Sequence, residues 1–297
     1  MKILITGSNG QLGNELISIL KTKNSEIGPI SSQYNNCEVI AADVKLLDIT
    51  NLENVSSFLE KNRPDILINC AAITNVDGCE TNPELAMKVN ALGPLNLSKI
   101  CSQIGTKLVH ISTDYVFSGK NNVPYREWDT CAPNSIYGKS KLLGEQYVRE
   151  QINNHFIIRT SWLYGYVGKN FVKTILSLAT EKKSIKVVND QIGNPTNAND
   201  LAYHILKVAL TDNYGTYHCT GIGDASWFEF ARLIVEYAEL NCKVLPCTTS
   251  EFPREAPRPQ YSSLDNLMLR CTVGDEMSPW QNALFTYITK LKKEKNL

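Results

Sequence analysis

Short apolar runs alternate with segments of helical period through the first half of this chain, and nothing else in it constrains the fold as tightly. Lys2-Ile3-Leu4-Ile5-Thr6 is the first run, stopped by Gly7, and Leu12, Leu16, Ile17 and Leu20 then recur at helical spacing. After a polar stretch over 21–36, Val39-Ile40-Ala41-Ala42 ends at Asp43, and Leu52, Val55, Phe58 and Leu59 mark the next helix. Asp65-Ile66-Leu67-Ile68-Asn69, Leu108-Val109-His110-Ile111 and Phe156-Ile157-Ile158-Arg159 are the later strands. A helical stretch over about 83–104 and another around Leu142, Leu143, Tyr147 and Val148 separate them. Strands that are apolar without alternation are covered on both faces, so the pattern predicts an α/β fold with a parallel sheet. Right-handed crossovers make that sheet doubly wound.

Composition excludes several other classes. The 297 residues carry Lys+Arg 30 and Asp+Glu 30, a formal net charge of +0, so no charge excess exists to neutralise phosphate backbones or anionic lipid. Neither nucleic acid nor a membrane is expected as a partner. A hydrophobic fraction of 43% with Pro 12 and Gly 17 is that of a globular chain and not a disordered one. No apolar run is long enough to span a bilayer, and Met1 leads straight into a strand without a signal region. Nine cysteines at irregular spacing, with no C-x-x-C pair, point to a reduced, cytoplasmic protein. The four histidines show no ligand spacing to them, so no metal site is expected.

Gly7-Ser8-Asn9-Gly10-Gln11-Leu12-Gly13 joins the first strand to the first helix. Glycines here let the backbone turn tightly and approach a phosphate, while the helix N-terminus offers free N–H groups and a positive dipole end. The spacing is G-x-x-G-x-x-G, and its place between a strand and a helix makes it a dinucleotide-binding loop of Rossmann-like type. Asp43 ends the second strand, where an acid accepts hydrogen bonds from ribose hydroxyls, which favours NADH. Lys45 is near enough to meet a 2′-phosphate, so NADPH stays open.

The second half is expected to continue the sheet through Ile185-Lys186-Val187-Val188 and Gly215-Thr216-Tyr217-His218. Beyond Gly221 come a helical segment over 228–240, the Pro- and Arg-rich stretch 252–259, and a final amphipathic helix with Trp280, Leu284, Tyr287, Ile288 and Leu291. The expected division is a dinucleotide-binding domain over 1–165, its sheet completed by about 185–220, and a smaller C-terminal substrate-binding lobe over 221–297 with part of 166–184. The run Lys292-Lys293-Glu294-Lys295 reads as a solvated, frayed end.

Tyr137 and Lys141 stand one helical turn apart, on one face. A neighbouring ammonium, aided by cofactor charge, is expected to lower the phenol from its usual value near ~10. Such a pair passes a proton to or from a substrate oxygen near neutral pH. Ser112 and Thr113, at the end of the fourth strand, supply a hydroxyl to hold that oxygen.

The glycine loop, the strand-end Ser112-Thr113 and the Tyr137/Lys141 pair resemble an extended short-chain dehydrogenase/reductase. Longer strings narrow the likeness. Arg63-Pro64-Asp65, Asn69-Cys70-Ala71-Ala72-Ile73-Thr74-Asn75-Val76-Asp77 and Val89-Asn90-Ala91-Leu92-Gly93-Pro94 are similar to the dTDP-4-dehydrorhamnose reductases. So are Ser112-Thr113-Asp114-Tyr115-Val116-Phe117, Arg159-Thr160-Ser161-Trp162-Leu163-Tyr164 and Asp190-Gln191-Ile192-Gly193-Asn194-Pro195-Thr196. Arg258-Pro259 with Ser262, Ser263 and Leu264 resembles that family's C-terminal pattern, so the likeness runs over nearly the whole chain.

The resemblance implies reduction of dTDP-4-dehydro-β-L-rhamnose to dTDP-β-L-rhamnose, with hydride delivered to sugar carbon 4. Tyr137 would protonate the forming alkoxide, Thr113 would hydrogen-bond that oxygen, and Lys141 would bind the nicotinamide ribose and keep Tyr137 acidic. Gly7, Gly10, Gln11, Leu12 and Gly13 would cradle the pyrophosphate. Asp43, Asp48 and Ile49 would flank the adenosine, with Ala72, Ile73 and Thr74 nearer the middle of the cofactor. Thr113, Asp114 and Trp162 would contact the sugar nucleotide, and Arg258 suits its diphosphate. Some members are magnesium-linked dimers, for which Glu15 is available; monomer and homodimer both stay open. The site's usual superfamily serine is Thr113 here, which keeps the hydroxyl.

Three alternatives share the scaffold. One is a reductase of opposite stereochemistry, giving dTDP-6-deoxy-L-talose. Another is an epimerase or dehydratase, although a dehydratase needs further acid/base carboxylates and no such pair sits beside Ser112-Thr113. The last is a non-catalytic partner protein like the regulatory subunit of methionine adenosyltransferase, against which intact Tyr137, Lys141 and Thr113 argue.

Overall fold

All five strands expected in the first half form, as β1 (Lys2–Thr6), β2 (Glu38–Ala42), β3 (Ile66–Asn69), β4 (Lys107–Thr113) and β5 (His155–Thr160). The computed structural model describes residues 1–295. With the strand Gly215–His218 these make a six-stranded parallel sheet in the order β2-β1-β3-β4-β5-(215–218). The winding reverses between β1 and β3. A crevice opens there at the carboxyl ends of the strands, beyond Thr6 and Asn69.

The helices are α1 (Gln11–Thr22), α2 (Leu52–Asn62), α3 (Val76–Thr81), α4 (Pro83–Met87), α5 (Gly93–Ile104), α6 (Ile136–Gln151), α7 (Phe171–Glu181), α8 (Ala198–Ala209), α9 (Trp227–Tyr237), α10 (Leu267–Thr272) and α11 (Trp280–Lys295), of which α1 and α8 cover one face of the sheet and α2, α5 and α6 the other. Successive β1 side chains go to opposite faces. Ile3 and Ile5 join Leu16 of α1 and Leu201 and Ile205 of α8, whereas Leu4 joins Val55 of α2, Leu97 of α5 and Val148 of α6. Both faces are dry, which is why these strands are apolar throughout.

Two expectations need correction. The strand Ser184–Val188 does not extend the main sheet; it pairs in parallel with Lys243–Cys247 in a separate two-stranded sheet. Its inward Ile185 and Val187 alternate with exposed Ser184 and Lys186, the pattern of a strand covered on one face only. It belongs to a second core, with Val172 and Ile175 of α7, Phe230 and Ile234 of α9, and Leu284 and Tyr287 of α11. Within 221–297, Leu269 and Met277 join the β1–α1–α8 core.

The stretch 83–104 is helical throughout, as expected. A π-helical turn at Lys88–Leu92 separates α4 from α5. It lets buried Asn90 bond both backbone groups of Ile73, at 2.9 and 3.1 Å, and the Ser140 hydroxyl of α6 at 3.1 Å. The 292–295 run is not a frayed end, because α11 continues through Lys295 and Lys292 reaches Glu239 at 3.1 Å. Residues 296–297 of the expected lobe lie outside the described residues. Among the described residues no helix is long and apolar enough to cross a membrane.

Candidate active site

A cavity of about 470 Å³ lies at the crevice beyond β1 and β3. Its floor is the glycine loop. Gly7 holds φ at +62°, and a Cβ there would stand 2.7 Å from Ala71 N, so no other residue fits. A Cβ on Gly13 would stand 2.5 Å from Gly7 O, which brings α1 hard against the turn. Gly10 caps α1 without a side-chain hydrogen bond, and no acid occupies the first turn. The N–H groups and positive end of that helix are left for an anion, so the loop fits a dinucleotide diphosphate.

Gly7, Gly10, Gln11, Leu12, Gly13, Ala72 and Thr74 line this cavity, as do Thr113, Asp114, Tyr137, Lys141, Trp162 and Arg258. Residues from most of the chain's length thus converge on one space. The remaining cofactor-binding candidates, Asp43, Asp48, Ile49 and Ile73, lie outside its lining. Asp43 sits at the end of β2, where its carboxylate accepts from Asn9 Nδ2 of the glycine loop at 3.1 Å and from Lys45 N at 3.0 Å. Asp48 accepts the Thr50 N–H and hydroxyl at 2.9 and 2.8 Å. Ile49 is buried in the α2–α5 core. Ile73 packs against Tyr137, Cys79 and Ala86.

Ser135 caps α6 by accepting from Gly138 N at 3.1 Å, and this sets the register of the helix against β4. Tyr137 and Lys141 consequently share its buried face. Lys141 is 2% exposed and donates from Nζ to Ile111 O at 2.6 Å. Burial pulls this ammonium down to about 8, while Glu145, one turn further on, pulls it back up. Burial also raises the Tyr137 phenol above its usual value, against the downward pull of the Thr113 hydroxyl. The expected lowering of Tyr137 by Lys141 is therefore corrected: desolvation dominates, and the Lys141 ammonium is directed at a backbone carbonyl.

Thr113 Oγ1 donates to Asp114 Oδ1 at 2.9 Å and accepts from Tyr115 N at 3.2 Å. Asp114 is 2% exposed, and among the described residues its Oδ2 has no hydrogen-bond partner. Burial raises this carboxyl to about 6. Trp162 adopts φ of +47° and stacks on Trp227 with ring centroids 3.5 Å apart. Arg258 meets Asp77 Oδ1 at 2.9 Å, and Asp77 also accepts from Ala256 N at 3.1 Å, so the 252–260 stretch is tied across to α3.

Glu15 is not displayed for a shared cation. It is buried on α1, accepts from Asn199 Nδ2 of α8 at 3.0 Å, and burial raises its carboxyl. The cavity also uses Cys70, Tyr115, Thr160, Ser161, Lys169, Asn170 and Trp227, none of them a sequence candidate. Thr160 and Ser161 were legible as the end of β5. Trp227 carries no motif of its own beyond the Ser226/Glu229 capping box that starts α9.

The family model for the RmlD substrate binding domain matches residues 1–293. The spore coat polysaccharide biosynthesis protein SpsK of Bacillus subtilis is 41% identical, covering 97% of this chain and 96% of that one. Two solved structures are similar over their whole length. The dTDP-4-dehydrorhamnose reductase of Clostridium acetobutylicum is 48% identical, with a TM-score of 0.93, covering 98% of this chain and 100% of that one. The dTDP-4-dehydrorhamnose reductase of Bacillus anthracis, solved in complex with NADP, is 44% identical, with a TM-score of 0.91, covering 97% of this chain and 99% of that one. On its sheet order, its glycine loop and these matches, the chain belongs to the RmlD family, the NAD(P)-dependent sugar-nucleotide reductases of the extended short-chain dehydrogenase/reductase fold.

Proposed function

We propose that this chain reduces dTDP-4-dehydro-β-L-rhamnose to dTDP-β-L-rhamnose. The observation that carries the reading is the convergence of Thr113, Asp114, Tyr137 and Lys141 on the cavity floored by the glycine loop. Identities of 44% and 48% to two reductases of that name support the sugar.

The bound nicotinamide cofactor supplies the hydride. Gly7, Gly10, Gln11, Leu12 and Gly13 hold its diphosphate at the α1 N-terminus, and Ala72 and Thr74 line its path toward Tyr137. Thr113 orients the substrate oxygen through its hydroxyl, and Tyr137 donates the proton that oxygen needs as the carbonyl becomes an alcohol. A buried phenol holds its proton until a strong base forms beside it, and a nascent alkoxide is such a base. Lys141, held by its bond to Ile111 O, would supply a positive charge to the bound cofactor. Asp114 accepts a sugar hydroxyl at its unpartnered Oδ2. Trp162, backed by Trp227, gives the sugar an apolar face.

Reduction of a different 4-keto sugar nucleotide is the second reading. It is favoured by one relative at 41% identity whose name states spore coat polysaccharide biosynthesis and no particular sugar. The deciding experiment follows nicotinamide absorbance with dTDP-4-dehydrorhamnose and then identifies the product. Rhamnose supports the proposal, talose overturns its stereochemistry, and absence of turnover with a protein that binds cofactor removes the substrate.

A further inference from the structure

Among the described residues the cavity lining contains three cations, Lys141, Lys169 and Arg258, and one carboxylate, Asp114. Two of the cations have partners: Lys141 is bonded to Ile111 O and Arg258 to Asp77. Lys169 is exposed, and among the described residues no carboxylate pairs with it.

The loop that carries Lys169 is fixed to the glycine loop. Asn170, 9% exposed, donates from Nδ2 to Gln11 Oε1 at 2.9 Å and to Gly165 O at 2.8 Å, and its Oδ1 caps α7 by accepting from Lys173 N at 2.9 Å. Lys173 Nζ ties the same loop through Tyr166 O at 2.6 Å and Gly168 O at 3.1 Å. The loop lies so close over Gln11 that a Cβ on either Gly165 or Gly168 would stand 3.6 Å from that side chain. A rigid loop therefore presents an uncommitted ammonium in the same cavity as an uncapped helix N-terminus. Two sources of positive potential facing one space favour a doubly charged anion there.

We propose that Lys169 is a binding residue for the cofactor, pairing with the dinucleotide diphosphate that the glycine loop cradles. This rests on the reading of the cavity as a nicotinamide dinucleotide site.

The test is direct binding, with no turnover required. Wild type, Lys169→Ala and Lys169→Arg are titrated with NADH, NADPH, ADP-ribose and adenosine at low and high salt. In Lys169→Ala the three diphosphates are expected to weaken together by about three- to tenfold at low salt, the range of a partly exposed charge-assisted contact. The gap should narrow at high salt, because an exposed pair is screened. Adenosine should bind equally to all three proteins, and Lys169→Arg should restore most of the loss. Equal diphosphate affinity in wild type and Lys169→Ala overturns the proposal. So does a loss confined to NADPH, which moves Lys169 to the 2′-phosphate. If the wild type binds none of the dinucleotides, the cofactor reading itself falls, and this inference with it.

Discussion

Arg159 of β5 grips both carboxylate oxygens of Glu145 on α6, at 2.9 and 2.8 Å, one turn beyond Lys141. Both side chains are buried, at 2% and 0% exposure. Burial alone would raise the Glu145 carboxyl; the guanidiniums of Arg159 and Arg149 together outweigh it and hold the group down at about 2. Arg149 adds a second guanidinium at 2.6 Å. The pair fastens the helix that carries Tyr137 and Lys141 to the sheet that carries Thr113.

Removing one partner strands the other. Arg159→Met leaves the Glu145 carboxylate buried with only the half-exposed Arg149, and a loss of about 3–5 kcal/mol is expected. Urea unfolding of both proteins measures it. A change inside experimental scatter would show that Arg149 alone neutralises Glu145.

The alkaline limb of catalysis should belong to Lys141. Its folded-state value lies near 8, below the usual lysine range, so its charge is lost as pH rises through about 8. A one-proton fall in kcat/KM is expected above that pH. Glu145 is the group that raises Lys141, so Glu145→Gln should shift the limb to lower pH. A limb that stays in place would assign it to another group. The same depression has a consequence for stability. Between about 8 and the normal lysine value the unfolded chain holds the proton more tightly, so Lys141's contribution to stability rises with pH there.

Tyr137→Phe removes the proposed proton donor and little else, since the ring still packs beside Tyr115. Turnover should fall by roughly 10²–10⁴-fold. Cofactor affinity, measured by titration in the same preparation, should stay close to wild type. Near-normal turnover would end the proton-donor assignment.

Gly13→Ala places a methyl group 2.5 Å from Gly7 O, inside any ordinary contact. The α1 N-terminus must then move off the turn. A destabilisation of about 1–3 kcal/mol is expected from overpacking, together with weaker NADH binding. Thermal melting with and without NADH separates the two effects, because a ligand that binds raises the midpoint.

Asp43→Ala should weaken NADH more than NADPH. The carboxylate stands at the end of β2 against Asn9 of the glycine loop, the position from which an acid reaches ribose hydroxyls. Titration with each cofactor decides it. An unchanged ratio would leave Asp43 the structural task of holding Asn9.

Much of this was legible in the sequence because the physics is local. Buried parallel strands must be apolar on both faces, so β1 to β5 announce themselves. Gly13 is required by crowding against Gly7 and Ser8, a few residues away, and Gly7 by its own φ of +62°. What escaped depends on distant partners. Helical spacing sets Tyr137 and Lys141 on one face, but the Lys141 ammonium finds Ile111 O, a carbonyl of another element. Trp227 reaches the cavity only because α9 stacks it on Trp162. The misplaced Ser184–Val188 strand is a different failure, since its alternation of exposed and buried residues is written in the sequence and marks a one-sided strand.

The Asp77–Arg258 contact joins residues 181 positions apart. On the ribosome, the glycine loop and the first four strands emerge well before Arg258 is made. The glycine turn therefore has all its own residues while the stretch that carries Arg258 into the cavity does not yet exist. Assembly of the pocket is ordered in time as well as in space, its Gly7–Gly13 end first and the Arg258 end among the last.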